Sequence, residues 1–68
     1  MRFYFDTSDS LPIRDEVGRN FALASEAVMY AKYLAADLRC LEPDVRPRLS
    51  IRVIDEDREQ IHEEAVFT

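Results

Sequence analysis

The chain has 68 residues, a formal net charge of −5 at pH 7, one cysteine and one histidine. This length predicts a single domain over residues 1–68 that buries only about 60% of its unfolded surface. One cysteine excludes an intramolecular disulfide framework, and the acidic balance argues against unaided binding of duplex nucleic acid. Because no stretch resembles a secretion signal or approaches the roughly 20 apolar residues of a membrane span, we expect a soluble, cytoplasmic protein.

The first predicted element is a strand from Arg2 to Asp6 (RFYFD). Phe3 and Phe5 alternate with polar neighbours, so both are expected on the buried side of a sheet. A turn over Asp6 to Ser10 follows, because Asp and Ser side chains hydrogen-bond their own backbone.

A second, short strand is predicted from Leu11 to Asp15. Pro12 has no N–H to donate, which favours an edge position for this strand. Asp15 to Gly18 is then a turn that uses the only glycine of the chain. Phe21 and Leu23 are expected to anchor the core just before the helix.

The segment from Ser25 to Leu41 has the only long 3.6-residue period and predicts the helix. Ser25 is the expected N-cap, with a start near Leu23 as the alternative. Glu42-Pro43 is expected to end the helix. The stripe that should face the sheet is Ala27, Ala31, Leu34, Leu38 and Leu41, with Ala24 and Ala35 at its edge.

The opposite side of this helix is also apolar. Met29, Tyr33, Ala36 and Cys40 recur there at i, i+4, i+7 and i+11. An exposed apolar stripe often marks a partner surface, so these residues predict a homodimer contact or a contact with another protein. The alternative is ordinary surface, because small proteins expose scattered apolar residues.

Two further strands are predicted after the helix. Arg48 to Ile54 alternates cleanly, with Leu49, Ile51 and Val53 expected inward. Glu59 to Phe67 is expected to return, and its interruption at Glu63 predicts a bulge or a change of faces late in the strand. In this strand the expected inward residues are Ile61, Ala65 and Phe67, and the expected outward residues are Gln60, His62 and Glu64.

The order β-β-α-β-β predicts a small α+β two-layer sandwich, with an antiparallel-rich sheet and one helix on one of its faces. The other face is left open. The polar residues expected there are Arg2, Tyr4, Arg48, Ser50 and Arg52. They could bind an anionic ligand or single-stranded nucleic acid. The acidic net charge instead favours ion pairs with Asp6, Glu64 and neighbouring acids.

No constellation in the sequence predicts catalysis, a cofactor or a metal site. Asp55, Asp57 and Glu59 are spaced like the first ligands of a calcium loop, but Gln60 and Val66 replace its glycine and closing glutamate. A solvated acidic turn fits better. His62 stands among glutamates and Cys40 near a helix C-terminus, so neither has the surroundings of a catalytic residue.

The RFYFD start, the acid-acid-x-Gly run at Asp15 to Gly18, the alanine-rich helix and the closing IRVIDEDREQIHEEAVF resemble a family of small bacterial proteins whose domain has no known function. The resemblance covers nearly the whole chain and implies a similar fold. Members commonly carry glycine where Arg58 stands and Pro-Asp where Ala22-Leu23 stand. The resemblance supplies no catalytic residue. We therefore expect a non-enzymatic interaction or regulatory module.

Overall fold

The computed structural model describes residues 1–8, 13–40 and 48–67. Its elements are β1 (Arg2–Ser8), β2 (Arg19–Asn20), α1 (Ala24–Leu38), β3 (Ser50–Ile54) and β4 (Gln60–Ala65). The strands form an antiparallel sheet in the order β2-β1-β3-β4, and α1 packs against one face. The predicted α+β fold is confirmed.

The second strand lies later in the chain than predicted. Of the predicted segment Leu11 to Asp15, the first two residues fall outside the described ranges, and Ile13 forms only an isolated bridge with Thr7. The ladder resumes at β2, where Arg19 pairs with Phe3. The edge position is expected for Pro12, which lies outside the described residues; the strand at this edge of the sheet is β2.

The carboxylate of Asp15 explains this gap in the ladder. Its Oδ2 accepts the N–H of Phe5 at 3.1 Å, and its Oδ1 accepts those of Val17 and Gly18 at 3.0 and 3.1 Å. A side chain thus takes the place of a strand on the β2 side of Phe5, whose other side pairs with Val53. Gly18 has φ 73°, and a Cβ there would lie 2.8 Å from the carbonyl oxygen of Phe3, so the turn requires glycine.

Helix α1 begins at Ala24 with Leu23 as its N-cap, so the prediction of Ser25 as the cap is wrong and the alternative start near Leu23 is correct. The Glu26 carboxylate accepts the N–H of Leu23 at 2.9 Å, which satisfies one donor at the helix start. Leu23 itself is 59% exposed and is not a core anchor. Within the described ranges, no helix has the length and apolarity needed to cross a bilayer.

The core lies between α1 and the helix-facing side of the sheet. Ala27, Ala31 and Ala35 are fully buried at its centre, because small side chains let the helix approach the strands closely. The other buried members are Phe3, Phe5, Leu49, Ile51, Val53 and Val66, with Phe21, Tyr30, Leu34, Leu38 and Phe67 packed around them. Ala24 is exposed. The expected stripe position Leu41 and the expected helix stop at Glu42-Pro43 lie outside the described residues.

Strand β4 carries a bulge near its start. Val53 pairs with His62 while Ile54 pairs with Gln60, so Ile61 is an extra residue without a partner in β3. The sequence predicts such an irregularity late in the strand, near Glu63, whereas the bulge occurs before it.

The bulge reverses the expected faces of β4. Ile61 is 40% exposed and Ala65 is also exposed, so their predicted inward positions are wrong. His62 and Glu64 pair with Val53 and Ile51 and therefore share the helix-facing side with these core residues.

Candidate functional site

The outer face of α1, defined here by Met29, Tyr33 and Ala36, is exposed as the sequence predicts. Met29 is 47% exposed and Tyr33 is 64% exposed, so two large hydrophobic side chains face solvent here. Cys40 is exposed too, but it lies two residues past the last helical residue, Leu38. The structure thus brings the first three predicted residues onto one helix surface and places Cys40 just beyond it.

A groove of about 350 Å³ runs beside this outer face. It is lined by Phe21, Ser25, Glu26, Met29, Tyr30 and Tyr33. Two of its aromatic residues are firmly held. The ring of Tyr30 packs edge-on against Phe5 with 4.9 Å between centroids, and Phe21 packs against the same two rings. Arg19 lies 4.7 Å above the Tyr30 ring and donates to its hydroxyl at 2.8 Å.

The helical period does not predict Phe21 and Tyr30 as part of the partner surface. Phe21 is expected in the core, and Tyr30 lies between the buried stripe and the outer face on a helical wheel. The sequence signal is that both residues are aromatic: Phe21 lies just before the helix, and Tyr30 lies at the border between its buried and outer faces. Half-buried aromatic rings commonly build the floor of binding grooves.

Charged side chains flank the outer face on both sides. Lys32 lies on one flank, where its Nζ is 3.2 Å from Glu64 Oε1 of β4. Asp37 lies on the other flank and is exposed. Hydrogen bonds from His62, at 2.9 Å, and from Lys32 hold the pKa of Glu64 below its ordinary value. Lys32, Glu64 and His62 thus link α1 to β4.

Of the residues predicted on the open sheet face, four alternate with core residues of β1 and β3 and lie there: Arg2, Tyr4, Ser50 and Arg52. The Arg2 guanidinium donates to the carbonyl of Val17, and Arg48 lies in the turn before β3, outside the strand. Ser50 donates to Glu63 Oε2 at 3.0 Å. The face is also partly covered, because Ile54, the cross-strand partner of Tyr4, is only 8% exposed.

Arg52 lies between two acids on this face. It is the cross-strand partner of Asp6 in β1 and of Glu63 in β4. Its Nε is buried and has no hydrogen-bond partner among the described residues. Of the acids predicted to neutralise this region, Asp6 lies beside Arg52, whereas Glu64 faces the helix because the bulge in β4 exchanges its two sides.

Arg58, which the sequence pattern does not predict on this face, lies over Tyr4. Its Cζ lies 5.0 Å from the centroid of the Tyr4 ring, and its Nη2 is 4.0 Å from Asp6 Oδ2. A second cavity, of about 320 Å³, opens beside this pair. It is lined by Tyr4, Arg14, Asp15, Glu16 and Arg58. A sequence signal for this contact exists. Arg58 lies in the turn just after β3, and the last residue of β3, Ile54, is the cross-strand partner of Tyr4.

Two loop acids, Asp15 and Asp55, accept hydrogen bonds from backbone N–H groups. Burial raises the pKa of Asp15, but its hydrogen bonds from three backbone N–H groups and the charge of Arg2 outweigh that effect and lower it overall. In the turn after β3, Asp55 Oδ1 accepts the N–H groups of Asp57 and Glu59, both at 2.9 Å. No group of three metal-binding side chains converges anywhere in the described ranges.

Comparison with known protein families identifies a domain family that covers the chain. The family described as Domain of unknown function (DUF6894) matches residues 2–68. Neither a curated protein nor a solved structure matches the chain. Since the match spans nearly every residue, from β1 through β4, the chain belongs to the DUF6894 family.

Proposed function

We propose that this chain is a non-enzymatic interaction module that forms a parallel homodimer through the outer face of α1. The observation that carries the proposal is the exposure of Met29 and Tyr33 beside an aromatic groove. A domain of this size buries little surface alone, so covering an apolar helix face with a second copy adds to its stability.

The spacing of the outer face supports a helix pair. Met29, Tyr33 and Ala36 are separated by four and three residues, which is the spacing of the seam in packed helix pairs. Two copies related by a two-fold axis along the helices would place each of these residues against its own copy. The small side chain of Ala36 allows a close approach there.

The flanking charges support the parallel orientation. Lys32 and Asp37 lie on opposite flanks and are five residues apart, which is the spacing of ion pairs between parallel helices. Lys32 of one copy would face Asp37 of the other, twice per dimer. In an antiparallel pair, Lys32 would instead approach its own copy. Lys32 has three N–H donors, so it can keep its bond to Glu64.

The side-chain chemistry supports a non-enzymatic role. The only histidine, His62, is bonded to Glu64 and helps join strand to helix. The only cysteine is exposed near a helix C-terminus, where the helix dipole does not favour a thiolate. An exposed free thiol is also compatible with a reducing compartment such as the cytoplasm.

Light scattering across a dilution series tests the dimer. Because the contact involves one helix of about 22 Å, we expect dissociation in the micromolar range or weaker. Replacing Met29 and Tyr33 with glutamate should give a folded monomer. Ile61→Glu is the matched control: it charges an exposed apolar residue of β4 and should leave the dimer intact. A monomer at every concentration of the unmodified chain would refute self-association.

The single cysteine tests the orientation. With spin labels on Cys40, a parallel dimer should place the two labelled backbones about 10 to 15 Å apart, given interaxial distances of roughly 8 to 10 Å. An antiparallel pair centred between Met29 and Tyr33 would separate them by roughly 27 Å. The longer distance would rule out the parallel arrangement.

A further inference from the structure

We propose that Tyr4, Arg14 and Arg58 form a binding site for a small oxyanion, either a phosphate monoester or a carboxylate. The site is the cavity of about 320 Å³ on the side of the sheet away from α1. Tyr4 of β1 forms its floor. The loop that carries Arg14 closes one side, and the turn between β3 and β4 brings Arg58 over the other.

The backbone of Arg58 is the first observation. Arg58 has φ 65°, in the left-handed region where a side chain other than glycine is strained. Glycine would occupy this turn position without that cost. Strain of this kind is characteristic of functional positions, where the side chain is needed at that point. Here the strain places a guanidinium over an aromatic ring at the mouth of a cavity.

The donors of Arg58 are the second observation. Its guanidinium lies 4.0 Å from Asp6 Oδ2, which is too far for a hydrogen bond. The Tyr4 ring covers one side of the guanidinium, and the guanidinium N–H groups of Arg58 make no hydrogen bond to the residues that the structure describes. A guanidinium can present two parallel donors, the geometry that a phosphate or carboxylate accepts.

Three acids also stand at or beside the cavity and keep their charge. Asp15 accepts three backbone N–H groups, and Asp6 Oδ1 accepts the N–H of Asp15 at 2.9 Å. Glu16 is exposed at the rim. Because the two arginines do not outnumber these acids, a ligand must be held by directed hydrogen bonds from the guanidinium groups rather than by a net positive charge. This balance argues against a polyanion, whose binding needs an extended basic surface.

Titration with inorganic phosphate and with acetate, at constant ionic strength and observed by 15N NMR, tests the site. We expect saturable shifts of the Arg58 and Arg14 side-chain Nε–H signals. Tighter binding of phosphate would identify a phosphoryl ligand, and tighter binding of acetate would identify a carboxylate. Shifts that do not saturate with either anion would overturn the proposal.

Arg58→Gly separates binding from folding. The variant should bind the anion at least tenfold more weakly, because it loses a charge-assisted bidentate contact. It should remain folded, because glycine adopts φ 65° freely. Arg48→Gln is the matched control: it removes the same charge from the turn before β3 and should bind normally. Unchanged affinity in Arg58→Gly would contradict the site.

Discussion

Replacement of Asp15 with alanine should remove much of the stability of this domain. The carboxylate accepts the N–H groups of Phe5, Val17 and Gly18. Phe5 lies in the core strand β1, and its N–H points to the side of β1 that β3 does not cover. A hydrogen bond to a charged group contributes about 1.5 to 3 kcal/mol. Val17 is exposed and Asp15 and Gly18 are only partly buried, so water can replace much of what these N–H groups lose. We therefore expect a total loss of about 2 to 3 kcal/mol, well below the sum of three such bonds.

That loss is large for a chain of this size, whose free energy of unfolding should be roughly 3 to 10 kcal/mol. Urea unfolding followed by far-UV circular dichroism measures it through the shift in midpoint. Glu16→Ala is the matched control, since it removes a neighbouring exposed acid and should change stability by less than about 0.5 kcal/mol. If Asp15→Ala and Glu16→Ala behaved alike, the carboxylate would not be what holds the edge of the sheet.

The pH dependence gives a second measurement on the same residue. The folded pKa of Asp15 lies below its ordinary value of 3.8, so ionised Asp15 favours the folded state. Its contribution is complete above that ordinary value and is lost as the pH falls through the lower, folded pKa. The stability difference between the unmodified chain and Asp15→Asn should therefore shrink in acid. A difference that stays constant from neutral pH to pH 2 would contradict this assignment.

Three further changes probe the fold. Gly18→Ala should cost about 2 kcal/mol or more in urea unfolding, because it adds strain at φ 73° and a clash with the Phe3 carbonyl; a neutral result would exclude this turn geometry. Ala31→Glu places a charge at a fully buried position and should abolish the cooperative thermal transition. Glu64→Gln should cost less than about 1 kcal/mol in thermal unfolding, and less in high salt, because its bonds to His62 and Lys32 are both partly open to solvent.

The sequence alone determines the order of elements and most of the core. Phe3 and Phe5 in β1 and Ile51 and Val53 in β3 alternate with polar residues, and all four are buried as predicted. The alanine-rich stripe of α1 is likewise visible in its period. These features are properties of short segments, because a strand repeats every two residues and a helix about every 3.6. The exposed stripe with Met29 and Tyr33 follows from the same periodicity.

The tertiary structure decides what depends on contacts between distant segments. The bulge at Ile61 sets which side of β4 faces the helix, and it follows from pairing with β3 rather than from any pattern within β4. The carboxylate of Asp15 displaces a strand from the ladder, and Arg58 folds back onto Tyr4 from more than fifty residues away. Register and long-range side-chain contacts are set by packing in three dimensions, which the order of residues along one segment does not encode.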